Sequence, residues 1–292
     1  MDRQLFYFLI YSALITYTLS GCGDTAAVEE QALLEEYIQS NRIEAVKNGS
    51  FYYRIDSSIL DVDSLLIFPT SSNLVETHLK GSLIDETIFA DSKNDNGDPL
   101  ILGLSTNLIS GLQIGLLLFP KNSKGTLYLP PSSAYGDAGD IPRNIPGESI
   151  IIYEVELLDI FASESAYNDT LIQGYLTDSQ MIPDTVISNI QIFIETEGNA
   201  VYPNDESKVL MTYSISSLEE ELFLEVNDKN APDTIDLGTA IKGLQLSLPF
   251  FGEGGQGSIL IPSQLAYGSK GTDTIPNYTP ILYKFKLLNI IE

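Results

Sequence analysis

The sequence predicts an antiparallel α+β fold built twice, and three observations carry that expectation. Long stretches repeat with an offset of about 135 residues, as a duplicated unit would. Late in each copy, apolar and charged residues alternate as they do along a half-buried strand. Strand-like runs also follow one another without a helix between each pair, an order that fits α+β rather than a parallel βαβ sheet. With 292 residues and 43% hydrophobic content, the chain is long enough to give each copy its own core.

From the N-terminus, "MDRQ" is followed by residues 5–21, "LFYFLIYSALITYTLSG", apolar, uncharged and ending in small residues. The run is short for a membrane-spanning helix and fits the hydrophobic region of a secretory signal, although Asp2 offsets Arg3, the lone basic residue before it. "LSGC" (Leu19–Cys22) resembles a bacterial lipobox, whose cysteine is acylated. Cys22 is the only cysteine, so no internal disulfide is possible. A lone thiol for metal or nucleophilic work is the competing reading, and the lipobox context favours lipidation of Cys22. Residues 1–21 then form a signal peptide, and a lipid anchor holds the body to a membrane on a periplasmic or outer-membrane face. Residues 22–30 read as an acidic tether.

Next come "QALLEEYIQSNRIEA" (Gln31–Ala45) and, in the second copy, "DTLIQGYLTDSQMIP" (Asp169–Pro183). Each puts Leu, Ile and Tyr at helical spacing and predicts an amphipathic helix, packed on its own unit or bridging to the previous one, with partner binding as the alternative. Strand candidates follow: "SFYYRID", "LLIF", "LVETHLKG" and "ETIFAD" in unit one, "IQIFIE", "KVLMTYSI" and "ELFLEV" in unit two. "GLQIGLLLFPKNSKGTLYLPPSSAYG" (Gly111–Gly136) then matches "GLQLSLPFFGEGGQGSILIPSQLAYG" (Gly243–Gly268) without a gap. Both open on Gly-Leu-Gln, where a short helix is expected, and both close on an Ala-Tyr-Gly loop. Final strands are expected at Ile150–Ile160 and Pro280–Ile290. The units fall at 31–161 and 165–292, joined by a linker around Phe161–Asp169.

Fifteen Lys and Arg against 40 Asp and Glu give a net charge of −25, which excludes a nucleic-acid partner because phosphate contacts need clustered cations. Solubility is the simple reading of that acidity, with recognition of a basic partner as the alternative. Three possible sites fail on their residues. His78 is the only histidine and cannot supply a triad or a metal pair alone. "DSKNDNGDPLIL" (Asp91–Leu102) has Lys93 and Leu102 where a calcium loop needs oxygen ligands, and reads as an exposed loop. "GEGGQG" (Gly252–Gly257) lacks the lysine and helix start of a phosphate loop.

Over residues 45–292 the ordered set resembles the FKBP-type peptidyl-prolyl cis–trans isomerases, most strongly in "PDTIDLGTAIKGLQ", "LIPSQLAYG" and "YKFKLLNI" of unit two. The resemblance implies two FKBP-like domains, each a five- or six-stranded antiparallel sheet wrapped around one short helix, with an aromatic-lined pocket between sheet and helix. It implies a prolyl isomerase that assists folding of exported proteins, acting as a monomer on proline-containing protein segments without cofactor or metal. A weak or inactive proline-binding module is the alternative.

The resemblance also implies roles for particular residues. The hydroxyls of Tyr135 and Tyr267 and the backbone N–H groups of Ile109 and Ile241 would be the catalytic donors; capping of a turn is the alternative for the two tyrosines. Phe89, Leu112, Ile145 and Tyr153 would bind substrate in unit one, and Tyr213, Phe223, Leu244, Ile275 and Tyr283 in unit two. Leu79 stands where unit one should carry the strand tyrosine. The family's Asp after the pocket Phe is replaced by Ala90 and Leu224, with Asp91 one residue away in unit one. Its early pocket Phe falls on Leu100 and Asp233, and no Trp is present. These departures point to pockets that bind proline with reduced or altered activity.

Overall fold

A computed structural model describes residues 24–56, 66–95, 97–105, 108–227 and 231–291. The expected signal segment and Cys22 lie outside the described residues. Unit one opens with α1 (Asp24–Ser40) and continues through β1 (Val46–Asn48), β2 (Phe51–Ile55), β3 (Leu74–Leu83), β4 (Ile88–Asp91), the one-turn α2 (Ser92–Asp95), β5 (Leu100–Gly103), α3 (Ser110–Leu116), β6 (Ser123–Leu129) and β7 (Ile151–Phe161). Unit two runs α4 (Glu164–Ser179), β8 (Thr185–Ile187), β9 (Ile190–Thr196), β10 (Lys208–Ser216), β11 (Leu222–Val226), β12 (Asp233–Asp236), α5 (Lys242–Ser247), β13 (Gln256–Ile261) and β14 (Ile281–Ile291).

Each unit holds one seven-stranded antiparallel sheet, above the five or six strands that the resemblance implies. The order is β1-β2-β6-β7-β3-β4 with β5 also on β3, and unit two repeats it as β8-β9-β13-β14-β10-β11 with β12 also on β10. Even the irregularities repeat. Register shifts fall at Gly81/Ser82 between β3 and β4, and at Ile215/Ser216 between β10 and β11. Such bulges re-aim the side chain they carry, here Phe89 and Phe223.

The central strands decide where the core sits. Ile151, Tyr153, Val155 and Leu157 point inward from β7, and Ile281, Tyr283, Phe285 and Leu287 do the same from β14. Burying one such side chain stabilises by roughly 1.5–3 kcal/mol. The inner face is closed by α3 or α5, through Leu112 and Leu116 or Leu244. The shared Gly-Leu-Gln has a physical reason. A Cβ on Gly111 would lie 2.7 Å from the Ser133 carbonyl oxygen and 2.8 Å from a Leu129 methyl, so glycine is what lets α3 approach β6. The glutamine ties the helix to the segment before it: Gln113 Nε2 donates to the Leu104 carbonyl at 2.6 Å, and Gln245 Nε2 to that of Ala240 at 3.0 Å.

The leading helices cover the opposite face of each sheet. Leu34 and Ile38 of α1 pack on Tyr128 and Ile150, and Ile172 of α4 packs on Phe193, Leu260 and Leu282. Several expected boundaries move. The first helix begins at Asp24, inside the stretch read as a tether, and ends at Ser40 rather than Ala45. The second begins at Glu164, capped by the Ser163 side chain, so the expected linker 161–169 shrinks to Ala162 and Ser163. "LLIF" forms no strand at Leu66–Phe68, which are exposed; Leu65 lies outside the described residues. The segment read as an exposed loop from Asp91 contains α2 and most of β5. Among the described residues, no helix is long and apolar enough to cross a membrane.

Candidate functional site

In unit one, Phe89, Ile109, Leu112, Tyr135, Ile145 and Tyr153 all belong to one apolar cluster between sheet and helix. The Phe89 ring meets Tyr135 and Tyr153 edge-on, with centroids 6.1 and 5.9 Å apart. Gly81 gives that ring its seat, because a Cβ there would lie 2.5 Å from it. The hydroxyls of Tyr135 and Tyr153 share a 2.9 Å hydrogen bond. Tyr153 is only 5% exposed, and Tyr135 supplies its only partner among the described residues. A buried hydroxyl donor needs an acceptor, so Tyr153 donates and the Tyr135 proton is left to face outward. Burial, and then this bond, pushes the Tyr153 hydroxyl well above the usual tyrosine range. Arg143, paired with Asp140 through Nη1 and Oδ2, lies close enough for its charge to act on both hydroxyls.

In unit two, Tyr213, Phe223, Ile241, Leu244, Tyr267, Ile275 and Tyr283 again share one cluster. Its wall is built differently. Ile215, buried, stands where unit one has Gly81, and Tyr213 stands where unit one has Leu79. Tyr213 stacks on Tyr283 with centroids 5.1 Å apart and donates its hydroxyl to Asp233 Oδ2 at 3.2 Å. Its pKa is pushed up to about 12, by burial first and then by the Asp233 charge and hydrogen bond. Burial also raises Tyr267, and raises Tyr283 strongly. Among the described residues, the Tyr267 hydroxyl has no hydrogen-bond partner.

Ile109 and Ile241 are the N-cap residues of α3 and α5, with matching backbone angles (φ −59°, ψ 142° and φ −55°, ψ 147°). The first N–H groups of a helix have no partner within it, and these two meet no acceptor among the described residues. Ile145 and Ile275 are fixed by the loops that carry them. Asp140 and Ile145 exchange backbone hydrogen bonds of 2.9 Å, and Ile275 N–H donates to Thr272 Oγ1 at 2.9 Å.

The carboxylates sort out less simply. Asp91 does not reach the aromatic group: it accepts from Lys93 N–H and Asn94 Nδ2 and so caps α2. Ala90 and Leu224 leave no acid beside the bulge phenylalanines. Asp233 comes from β12, which pairs with β10 at Met211 as β5 pairs with β3 at Thr77. Leu100 and Asp233 therefore hold equivalent places, and only unit two gains a carboxylate there. The sequence placed Asp233 at this position but gave no sign that it would hold Tyr213. The Tyr135–Tyr153 bond was likewise missed, since two tyrosines on separate elements carry no local signal.

The sequence matches the profile of the FKBP-type peptidyl-prolyl cis-trans isomerase family over residues 67–158 and 200–288. The chain belongs to that family. It is 33% identical over 153 residues to "FKBP-type peptidyl-prolyl cis-trans isomerase FkpA" of Aeromonas hydrophila, covering 51% of this chain and 54% of that one. It is 26% identical over 221 residues to mouse "Peptidyl-prolyl cis-trans isomerase FKBP9", covering 75% of this chain and 35% of the relative. The chain thus spans about half or less of the length of these two relatives. Among solved structures, FkpA from Escherichia coli is 30% identical over 47% of this chain and 62% of its own, with a TM-score of 0.39. The two matched regions fall one in each unit, so the FKBP domains stand in tandem.

Proposed function

We propose that the chain is a peptidyl-prolyl cis–trans isomerase with two pockets, anchored through an acylated Cys22 at a periplasmic or outer-membrane face. It works there as a monomer on proline-containing segments of exported proteins. The reading rests on one observation above others: in a member of this family, every residue to which the resemblance gives a catalytic or substrate-binding role joins one cluster of buried and half-buried residues per unit, with a tyrosine hydroxyl at its edge.

The chemistry asks little of such a site. Rotation about an Xaa-Pro amide faces a barrier of about 18–20 kcal/mol and makes or breaks no bond. A site accelerates it by holding the twisted amide better than either planar form. The twisted amide has lost resonance and is less dipolar, so an apolar wall of Phe89, Leu112, Ile145 and Tyr153, or of Tyr213, Phe223, Leu244, Ile275 and Tyr283, disfavours it less than the planar one. The same wall holds the pyrrolidine ring by area burial, at roughly 25 cal/mol per Å². Tyr135 or Tyr267 would donate to a substrate carbonyl near the rotating bond, and the N–H of Ile109 or Ile241 to a second one.

A second reading, proline binding without turnover, is favoured by Ala90 and Leu224 standing where the family carries an acid. Isomerisation of an Xaa-Pro peptide by the full chain separates the two. We expect a rate above background that falls by roughly tenfold when Tyr135→Phe and Tyr267→Phe are combined, the loss of about one hydrogen bond at each site. No rate above background would leave the binding reading alone.

A further inference from the structure

We propose that Asn168, on the leading helix of unit two, is a positioning residue for the loop that carries Tyr267 and Ile275. The proposal rests on the isomerase reading of unit two. Asn168 lies on the face of α4 that docks on the sheet, one turn before Ile172, and is 0% exposed. An amide in that place is costly unless its bonds are made. Here they are. Oδ1 accepts from the Ser263 backbone N–H at 2.6 Å, while Nδ2 donates to the carbonyls of Tyr278 at 3.3 Å and Glu164 at 3.0 Å. Glu164 Oε1 adds a bond at 2.6 Å from Ser263 Oγ, and Ser263 is itself 0% exposed.

Ser263 and Tyr278 are the two stems of one loop. The chain leaves β13 at Ile261, passes Ser263, turns through Tyr267, returns past Ile275, and closes where Tyr278 N–H donates to the Gly268 carbonyl at 2.9 Å. One amide from outside the pocket therefore holds both stems, and with them the placing of Tyr267 and Ile275 in the cluster. An apolar residue would pack on the sheet as well as Asn168 does. What the amide adds is partners for one backbone N–H and one C=O at the base of this loop.

Unit one shows what happens without it. Matching Leu34 of α1 to Ile172 of α4 puts Glu30 in the place of Asn168, and Pro131 stands where unit two has Ser263. Proline has no N–H to offer. Glu30 Oε2 instead accepts from Ser132 N–H at 3.1 Å, a single exposed bond.

The test uses the full chain with Asn168→Ala and, because a buried substitution can prevent folding, the same-sized Asn168→Asp, which keeps an acceptor for the Ser263 N–H and loses the donor to the Tyr278 carbonyl. Hydrogen exchange over residues 262–280 is read against 130–150 and the remaining sheet peptides. Turnover is read in a background whose unit-one hydroxyl pair is removed by Tyr135→Phe with Tyr153→Phe. We expect exchange to quicken by roughly tenfold in 262–280 alone for Asn168→Ala, with a smaller change for Asn168→Asp. We also expect kcat to fall by roughly tenfold with KM less affected, as a misplaced donor would cause. Unchanged exchange in a folded variant overturns the proposal, as does faster exchange with turnover intact or loosening of the whole unit. If Asn168→Ala does not fold, Asn168→Asp decides on the same readings. A background without turnover would sink the isomerase reading of unit two while the exchange measurement still decided the clamp.

Discussion

Tyr135 and Tyr267 stand at the same corner of two units with the same strand order, yet different groups hold them. Tyr135 is held from within: Tyr153, on the central strand β7, reaches its hydroxyl, and Phe89 lies edge-on to both rings over Gly81. Tyr267 has no such bond among the described residues. Its cluster is stiffened instead by the Tyr213–Tyr283 stack and by Asp233, while Asn168 grips the loop from behind. One position explains much of the divergence. Glycine at 81 leaves room for a phenylalanine ring over the strand, whereas Ile215 fills that room and the aromatic surface is rebuilt from Tyr213. A duplicated cluster can thus keep its tyrosine in place while the residues that immobilise it are replaced.

The largest effect that would break this comparison is on stability. Tyr135→Phe takes away the acceptor of the buried Tyr153 hydroxyl, and an orphaned buried donor costs about 1–3 kcal/mol. Tyr267→Phe removes a hydroxyl that has no partner among the described residues and should stay within about 0.5 kcal/mol of the parent. Adding Tyr153→Phe to Tyr135→Phe removes the orphan, so the pair should recover most of the loss. Denaturant unfolding of the singles and the double checks this. Equal costs for Tyr135→Phe and Tyr267→Phe would mean that the inner bond holds nothing.

A smaller effect belongs to Asp233. In Asp233→Asn the Tyr213 hydroxyl keeps a partner but loses a charged one, and both groups are accessible at the rim. Turnover by unit two should fall by only about two- to threefold, consistent with the modest worth of exposed charged contacts. The Tyr213 titration, followed by ultraviolet absorbance, should move from about 12 back toward the ordinary tyrosine value. A titration that stays put would mean that burial alone sets it.

How much of this was legible in the sequence follows from the range of each interaction. The sheets were legible because alternation along β7 and β14 is local, and the repeated Gly-Leu-Gln marked both inner helices. Leu66–Phe68 misled because an apolar run without alternation need not pair with anything. The helix starts were missed because Glu164, Tyr167 and Asn168 look polar or mixed, although Ser163 followed by Glu164 is an N-terminal signal. Which residues gather in each apolar cluster was visible through the family pattern. What fixes them was not, since Tyr135 to Tyr153, Tyr213 to Asp233 and Asn168 to Ser263 join separate elements, the last pair 95 residues apart.

The smallest expected effect is a flat pH profile, and it sharpens the comparison because both units should share it. Tyr153, Tyr213, Tyr267 and Tyr283 all have hydroxyls raised above the ordinary value near 10, burial being the first cause each time. Their protons are therefore in place across the neutral range, and turnover by either unit should be constant from about pH 6 to 9. Stability behaves differently further up. Above about pH 10 the unfolded chain sheds tyrosine protons that the folded chain keeps, so the unfolded state binds fewer protons and the free energy of unfolding declines with pH. The contribution is complete below the unfolded value and is lost as pH climbs through the folded ones. Thermal melts from pH 7 to 11 should hold steady and then drop. A rate that instead rose or fell between pH 6 and 9 would show a titrating group other than these tyrosines controlling the sites.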